Sequence, residues 1–215
     1  DINRAISLYK IAIEKGNSAA KNNYAIIISC GIGGVEEDDE KVRQYYKVGA
    51  EKGVPASMYN YATILIRGDK DEKKEAIYYF QKAADVESIL AYGKLLMKGG
   101  DVIRDIKKAE KYFKKGADLG NKECMYHYGK ILYDSDKLEA AKYFKCSADQ
   151  GYINAIIKYA KMLHKGDVIP INIDEASKYY QIAISKGSIS AKQNYEQMLN
   201  NDKDRDIKCE ENSIE

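Results

Sequence analysis

Apolar residues in this chain fall into short stripes at helical spacing, separated by polar turns. Between Asn154 and Gly187, Ala155, Tyr159, Ala160 and Leu163 form one stripe, and Ala176, Tyr180, Ala183 and Ile184 form the next. Positions three and four apart share one face of a helix, so this stretch predicts two amphipathic helices joined by a loop. Gly166 and Gly187 end them, because a chain leaves a helix most easily through positive φ. Helices this short are marginal alone in water, so each needs neighbours.

The neighbours are copies of the same unit. Gly16, Gly53, Gly120, Gly151 and Gly187 serve as a ruler. Seven residues before them stand Tyr9, Tyr46, Phe113, Phe144 and Tyr180; eleven before, Ala5, Val42, Ala109, Ala140 and Ala176; four before, Ala12, Gly49, Gly116, Ser147 and Ala183. A further copy has Ala76, Phe80, Ala83 and Ala84, with Glu87 where the Gly belongs. In the following helix stand Tyr24, Tyr61, Tyr92, Tyr128, Tyr159 and Tyr195, separated by 37, 31, 36, 31 and 36 residues. A period of about 36 belongs to solenoids of helix pairs. The short steps are expected to reflect residues missing around Glu87–Ser88 and the brief loop Tyr133–Asp136. Small residues let backbones approach and aromatic ones fill the space beside them. That accounts for 19 Tyr and no Trp without invoking chemistry. Asp39, Asp71, Asp105, Asp136 and Asp174 are expected to cap the second helix of each pair, and Asn17, Asn121 and Ser188 the first, with Pro55 in a first turn.

Units of the form A-x3-[YF]-x2-[AGS]-[AI]-x2-G, followed by a Tyr-Ala or Tyr-Gly helix and a Gly-containing loop, resemble Sel-one-like repeats, relatives of the tetratricopeptide repeats. The resemblance covers residues 1 to about 201; Glu87, Glu196 and the shortened fourth loop depart from it. It implies an all-α fold, a right-handed α-solenoid (superhelix) of antiparallel helix pairs with about six repeats. The first repeat is incomplete, since the chain opens inside a second helix. Its face of Ala5, Tyr9 and Ala12 is expected to need a cover, from chain upstream or from self-association through the N-terminal helix. Residues 202–215 lose the pattern and read as a polar tail or capping helix.

Charge and composition narrow the function. With 35 basic and 33 acidic residues, the net charge of +2 argues against a nucleic-acid binder, which relies on basic excess. No apolar run approaches a membrane span, and the opening residues lack the apolar core of a signal peptide. The missing initial Met suggests a cut or processed form. Cys30, Cys124, Cys146 and Cys209 follow no disulfide spacing and read as reduced thiols of a cytoplasmic protein.

Little catalytic chemistry stands out. The stretch Gly31–Val35 has neither a preceding strand nor the following GK[ST] of a phosphate loop, so it reads as a loop between helices. Cys124 and His127 have a spacing that could seat a metal, but no further ligands converge, and Cys124 occupies the small-residue position of Ala155 and Ala191. His164 is placed on the exposed side of its helix, a base without a nucleophile. No catalytic, cofactor-binding or metal-binding residue is therefore expected.

In a tetratricopeptide-like superhelix the first helices line the concave side. The resemblance thus implies partner-binding residues at Tyr59, Arg67, Lys94, Tyr126, Lys130, Tyr133, Lys161, His164 and Lys165. Lys94, Lys130 and Lys161 recur at one repeat position and would form a ladder suited to an acidic or carboxylate-bearing peptide. The plainer reading is that these lysines keep a helix face wet. The expected function is a non-catalytic scaffold or adaptor that holds another protein or peptide, without nucleic acid, membrane or cofactor. Two other readings are weaker. Hydrolysis of the kind associated with the cysteine-rich bacterial subgroup would call for a regular cysteine pair in each repeat. RNA binding by a helical array is disfavoured by the near-neutral charge.

Overall fold

Capped turns divide the chain into short helices. The computed structural model describes residues 1–100, 102–166 and 168–211, with side chains up to residue 200. Among the described residues there are twelve α-helices, one 3-10 turn and no strand. The first helices of the pairs are α2 (Ser18–Ser29), α4 (Pro55–Leu65), α6 (Val86–Lys98), α8 (Lys122–Leu132), α10 (Ile153–Lys165) and α12 (Ile189–Glu211). The second helices are α1 (Ile2–Glu14), α3 (Asp39–Glu51), α5 (Lys70–Ala83), α7 (Ile106–Asp118), α9 (Lys137–Asp149) and α11 (Ile173–Ser185). The stretch Gly31–Val35 forms the loop between α2 and α3 and contains the 3-10 turn Ile32–Gly34. α12 runs past residue 201, and residues 212–215 of the expected tail lie outside the described residues.

The caps of the first helices fall at the expected residues. Asn17 and Asn121 accept the amides of Ala20 and Cys124 at 2.9 and 2.8 Å, Ser188 that of Ala191 at 3.3 Å, and Pro55 opens α4. For the second helices, Asp105 and Asp136 accept amides three residues on, as expected. Elsewhere the cap lies earlier: Asp38, Asp69 and Asn172 replace Asp39, Asp71 and Asp174. A cap needs extended backbone. The displaced aspartates sit in the first turn instead, where the helix dipole still favours them. At α5 the cap is reciprocal: Asp69 accepts the amides of Asp71 and Glu72, and Glu72 reaches back to the Asp69 amide. Those backbone donors hold the Asp69 carboxyl below its ordinary pKa.

α1 to α6 each pack on their chain neighbours, as do α8 to α12, and α2–α4 and α10–α12 also touch. The chain forms two compact units, Asp1–Tyr112 and Phe113–Glu215, divided within α7. In the first unit Ala25, Ile28, Leu65, Ala76 and Ile89 are buried. A buried polar group joins α2 to α4, where Asn22 accepts from Ser57 Oγ at 3.2 Å and Asn60 Nδ2 at 3.0 Å. In the second unit the core is built from Phe144, Ala155, Ile156, Ala160, Tyr180 and Met198.

Small residues set how closely the helices approach. A Cβ at Gly49 in α3 would lie 2.1 Å from Ser57 Oγ in α4. The equivalent couples are Gly116–Cys124, Ser147–Ala155, Ala183–Ala191 and Ala12–Ala20. In these couples Ser or Cys on the first helix goes with Gly on the second, and Ala with Ala or Ser; across the shortened turn, Ser88 instead stands at the position matched to Ala83.

One turn departs from the pattern. The shortened unit loses residues before Glu87, not around Glu87–Ser88. α5 stops at Ala83, Ala84 takes the left-handed conformation at φ 53°, and Asp85 caps α6. Ala84 is the one non-Gly residue with positive φ among the described residues. Such a conformation costs about 1 kcal/mol for a residue with a Cβ. Ala84→Gly is therefore expected to stabilise the first unit by about 1 kcal/mol. A urea titration followed by circular dichroism measures this, and an unchanged or lower midpoint would refute it.

The face of α1 is less covered than its counterpart in α3, where Val42, Tyr46 and Gly49 are buried. Ala5, Tyr9 and Ala12 are half-buried, and Ile6 is buried. The open apolar residues of α1 are Ile2, Leu8 and Ile11.

Candidate partner-binding surface

A second tyrosine, directly before the ruler aromatic, was not read from the sequence, yet it orders the packing. Tyr45, Tyr79, Tyr112, Tyr143 and Tyr179 meet Tyr24, Tyr61, Tyr92, Tyr128 and Tyr159 of the preceding helix, with ring centroids 4.8–6.3 Å apart. The residue after the ruler aromatic reaches the next first helix. Gln81 donates to the Tyr92 hydroxyl at 2.6 Å, and Gln181 to that of Tyr195 at 3.3 Å. Most of the tyrosine excess is thus inter-helix packing.

The most polar of these contacts lies between α9 and α11. Tyr179 donates to Asp149 at 2.5 Å, and Lys145 donates to Asp149 at 3.2 Å and to the Tyr179 oxygen at 3.4 Å. Burial, then the bond to Asp149, pushes the Tyr179 phenol up to about 12. A neighbouring groove of about 910 Å3 is lined by Asp149, Asp174, Glu175, Lys178, Lys186 and the exposed Ile182, among others.

In the first unit the sequence-derived residues lie apart. Tyr59 packs on Phe80 with centroids 6.1 Å apart and lines a cavity of about 310 Å3 with Pro55, Asn60, Asp85 and Glu87. Arg67, beyond the end of α4, lines a different cavity of about 500 Å3 with Asp39, Glu40, Arg43 and Glu72. Arg43 and Glu72 form an ion pair, which raises the guanidinium pKa and lowers that of the carboxyl. Lys94 is exposed on α6.

The second unit gathers its residues more closely. Tyr126, Lys130 and Tyr133 recur at spacings of four and three on the face of α8. Tyr126 is half-buried among Phe144, Tyr152 and His127, at centroid distances of 5.8, 5.3 and 5.4 Å. Burial raises its phenol pKa, so it stays a neutral donor. Lys130 stands 5.8 Å over its ring. Tyr133 leans on Phe144 at 6.3 Å, and the Lys158 ammonium sits 3.8 Å from its centroid. Lys158, next to Tyr159 in sequence, was outside the positions counted for the groove. Its reach to Tyr133 depends on how α8 and α10 stack.

On α10, Lys161 is half-buried and Lys165 exposed, but His164 is not on the exposed side as expected; it is 8% exposed. The next first helix, α12, covers this end of α10, so a face that reads as open within one unit is closed by its neighbour. Lys161, His164 and Lys165 share a small cavity with Tyr180, Asn194 and Gln197.

His127 stacks on Phe113 at 4.9 Å with an interplanar angle of 18°, and Cys124 is fully buried in the small-residue position. Among the described residues no three His, Cys, Asp or Glu side chains converge to hold a metal, and no helix is long and apolar enough to cross a membrane.

The Sel1 repeat profile matches residues 1–17, 18–54, 55–85, 86–121, 124–152 and 153–188. Among solved structures, a Sel1 repeat protein from Oxalobacter formigenes is similar at 23% identity, covering 81% of this chain and 75% of that one, with a TM-score of 0.74. An immunity protein from Pseudomonas aeruginosa is 22% identical over 84% of this chain and 72% of its own, with a TM-score of 0.54. A Sel1 repeat protein from Klebsiella pneumoniae is 18% identical over 90% and 99%, with a TM-score of 0.52. At these identities the likeness concerns the fold. No curated protein matches the chain at a significant level.

Proposed function

We propose that this chain, which belongs to the Sel1 repeat family, is a non-catalytic interaction scaffold that holds a partner protein or peptide on the surface of its first helices. Repeats of this kind are generally protein-interaction modules. The observation that carries the reading is the α8 stripe, where two half-buried tyrosines are flanked by the lysine ammoniums of Lys130 and Lys158. Aromatic rings held rigid by packing, with cations beside them, offer contact area at low entropic cost and charge for an acidic segment. Lys94 and Lys161 extend the same chemistry to other first helices. The exposed thiols of Cys30 and Cys146 suit a reducing compartment, which favours the cytoplasm.

A peptide library displayed on phage and selected on the intact protein tests the reading. Acidic peptides containing aromatic or aliphatic anchors are expected to be enriched. Charge reversal of Lys94, Lys130 and Lys161 together (each Lys→Glu) is expected to weaken the selected peptides by at least about tenfold, one to two desolvated charge contacts' worth. Undiminished affinity in that triple variant would remove the lysines from the binding surface. Failure to enrich any sequence would remove the scaffold reading itself.

A further inference from the structure

The cavity at the end of the second unit has a lining that packing does not explain. It encloses about 150 Å3 between α10, α11 and α12, with Lys161, His164, Lys165, Tyr180, Asn194 and Gln197 around it and no carboxylate among the described residues. Lys161 and Lys165 lie one helical turn apart on the same face, and neither forms an ion pair among the described residues. Tyr180 is 0% exposed, and its buried hydroxyl has no hydrogen-bond partner. Buried polar groups normally find one, and leaving one unpaired costs stability.

The other units show that the hydroxyl is not there for packing. At the position of Tyr180 three of them carry Phe80, Phe113 and Phe144. Tyr9 and Tyr46 also hold this position, and the Ser29 hydroxyl lies near that of Tyr46. Tyr180 therefore keeps a donor that half of the units do without, beside the Lys161 and Lys165 ammonium groups. Burial pushes its phenol up to about 12, so the hydroxyl remains protonated and able to donate at neutral pH.

We propose that this cavity binds a carboxylate group presented by a partner peptide, with the Tyr180 hydroxyl donating to one oxygen and Lys161 and Lys165 balancing the charge. The proposal rests on the scaffold reading and gives its surface one defined anchor. The cavity is large enough for a carboxylate and the carbon that bears it. Among the described residues it contains no Arg fork and no helix N-terminus, the two features that most favour phosphate. The carboxylate could come from an Asp or Glu side chain or from a chain terminus; the chemistry is shared.

Titrations followed through the ring resonances of Tyr180 and His164 test the proposal with three short acetylated Gly/Ala peptides. One ends in an amide and has no acid, one is amidated with a single internal Asp, and one has a free C-terminus. At least one acidic peptide is expected to give saturable shifts at millimolar concentration, and the peptide without acid none. Which acidic peptide binds identifies the source. Lys161→Met with Lys165→Met is expected to weaken binding at least tenfold. Tyr180→Phe, whose side chain other units already accommodate, is expected to weaken it about tenfold while the melting temperature stays level or rises. Silence from both acidic peptides, equal binding of the peptide without acid, or unchanged affinity in both variants would overturn the site. So would stronger binding of inorganic phosphate than of either acid. These probes engage one cavity only, so their failure leaves the scaffold reading standing; that reading fails by its own library selection.

Discussion

Replacing Gly49 with Ala is expected to destabilise the first unit by about 2–3 kcal/mol, the cost of overpacking a close helix contact. Helix propensity alone predicts the opposite sign, a gain of about 1 kcal/mol for Gly to Ala inside a helix. The contact wins because the new Cβ would lie 2.1 Å from Ser57 Oγ and 2.5 Å from Ser57 Cβ, on a residue that is fully buried. Ser57 cannot swing aside without giving up its bond to Asn22. α3 and α4 must therefore move apart. The double variant Gly49→Ala/Ser57→Ala recreates the Ala183–Ala191 couple of the second unit, both members of which are fully buried. It is expected to recover at least half of the loss. Urea midpoints of the four proteins in the cycle give the coupling. If Gly49→Ala alone proves neutral or stabilising, close approach does not govern this interface.

Phe144→Ala is expected to cost about 3–5 kcal/mol, the range for truncating a buried aromatic. Phe144 is fully buried and touches Tyr126 and Tyr133, and a Cβ at Gly129 would lie 3.0 Å from its ring. Phe144→Tyr should cost far less, because Tyr46 and Tyr180 hold the same repeat position. The truncation has a second consequence. Tyr126 and Tyr133 lean on the ring, and the Lys158 ammonium stands 5.8 Å from it. Any peptide selected on the α8 surface should therefore lose affinity, although Phe144 is inaccessible to it. Thermal melts and peptide titrations of the same variant separate the two effects. A loss of stability below about 1 kcal/mol would contradict the packing account.

The repeat and its small-and-large alternation were legible because they recur. Ala140, Ala155 and Ala176 are each fully buried at the positions their spacing marked. The caps were legible in kind but not in place: where acids cluster, as at Asp38 and Asp39, backbone conformation decides which one caps. Ala84 escaped notice because nothing in an Ala side chain announces positive φ. The partner surface was harder still. Tyr126, Lys130 and Tyr133 could be read as one stripe of one helix. The burial of His164 and the reach of Lys158 to Tyr133 are set by a neighbouring pair, so no count within one unit finds them. The tyrosines at 45, 79, 112, 143 and 179 could have been found, since each directly precedes the ruler aromatic.

The size matching at Gly49 and Ser57 bears on how such a chain can be recombined. The profile places a repeat boundary between residues 54 and 55, at the turn between these two residues. The matched couple straddles that boundary. A splice made there joins a second helix to a first helix that was sized for a different neighbour, so that a Ser-bearing half can meet an Ala-bearing one across a full-length turn, a pairing the chain has only at Ala83–Ser88, where the turn is three residues shorter. Splices made in the longer loops between a first helix and its own second helix, such as residues 35–38, carry each couple across intact. The portable module of this architecture is thus offset by half a unit from the repeat that the sequence displays.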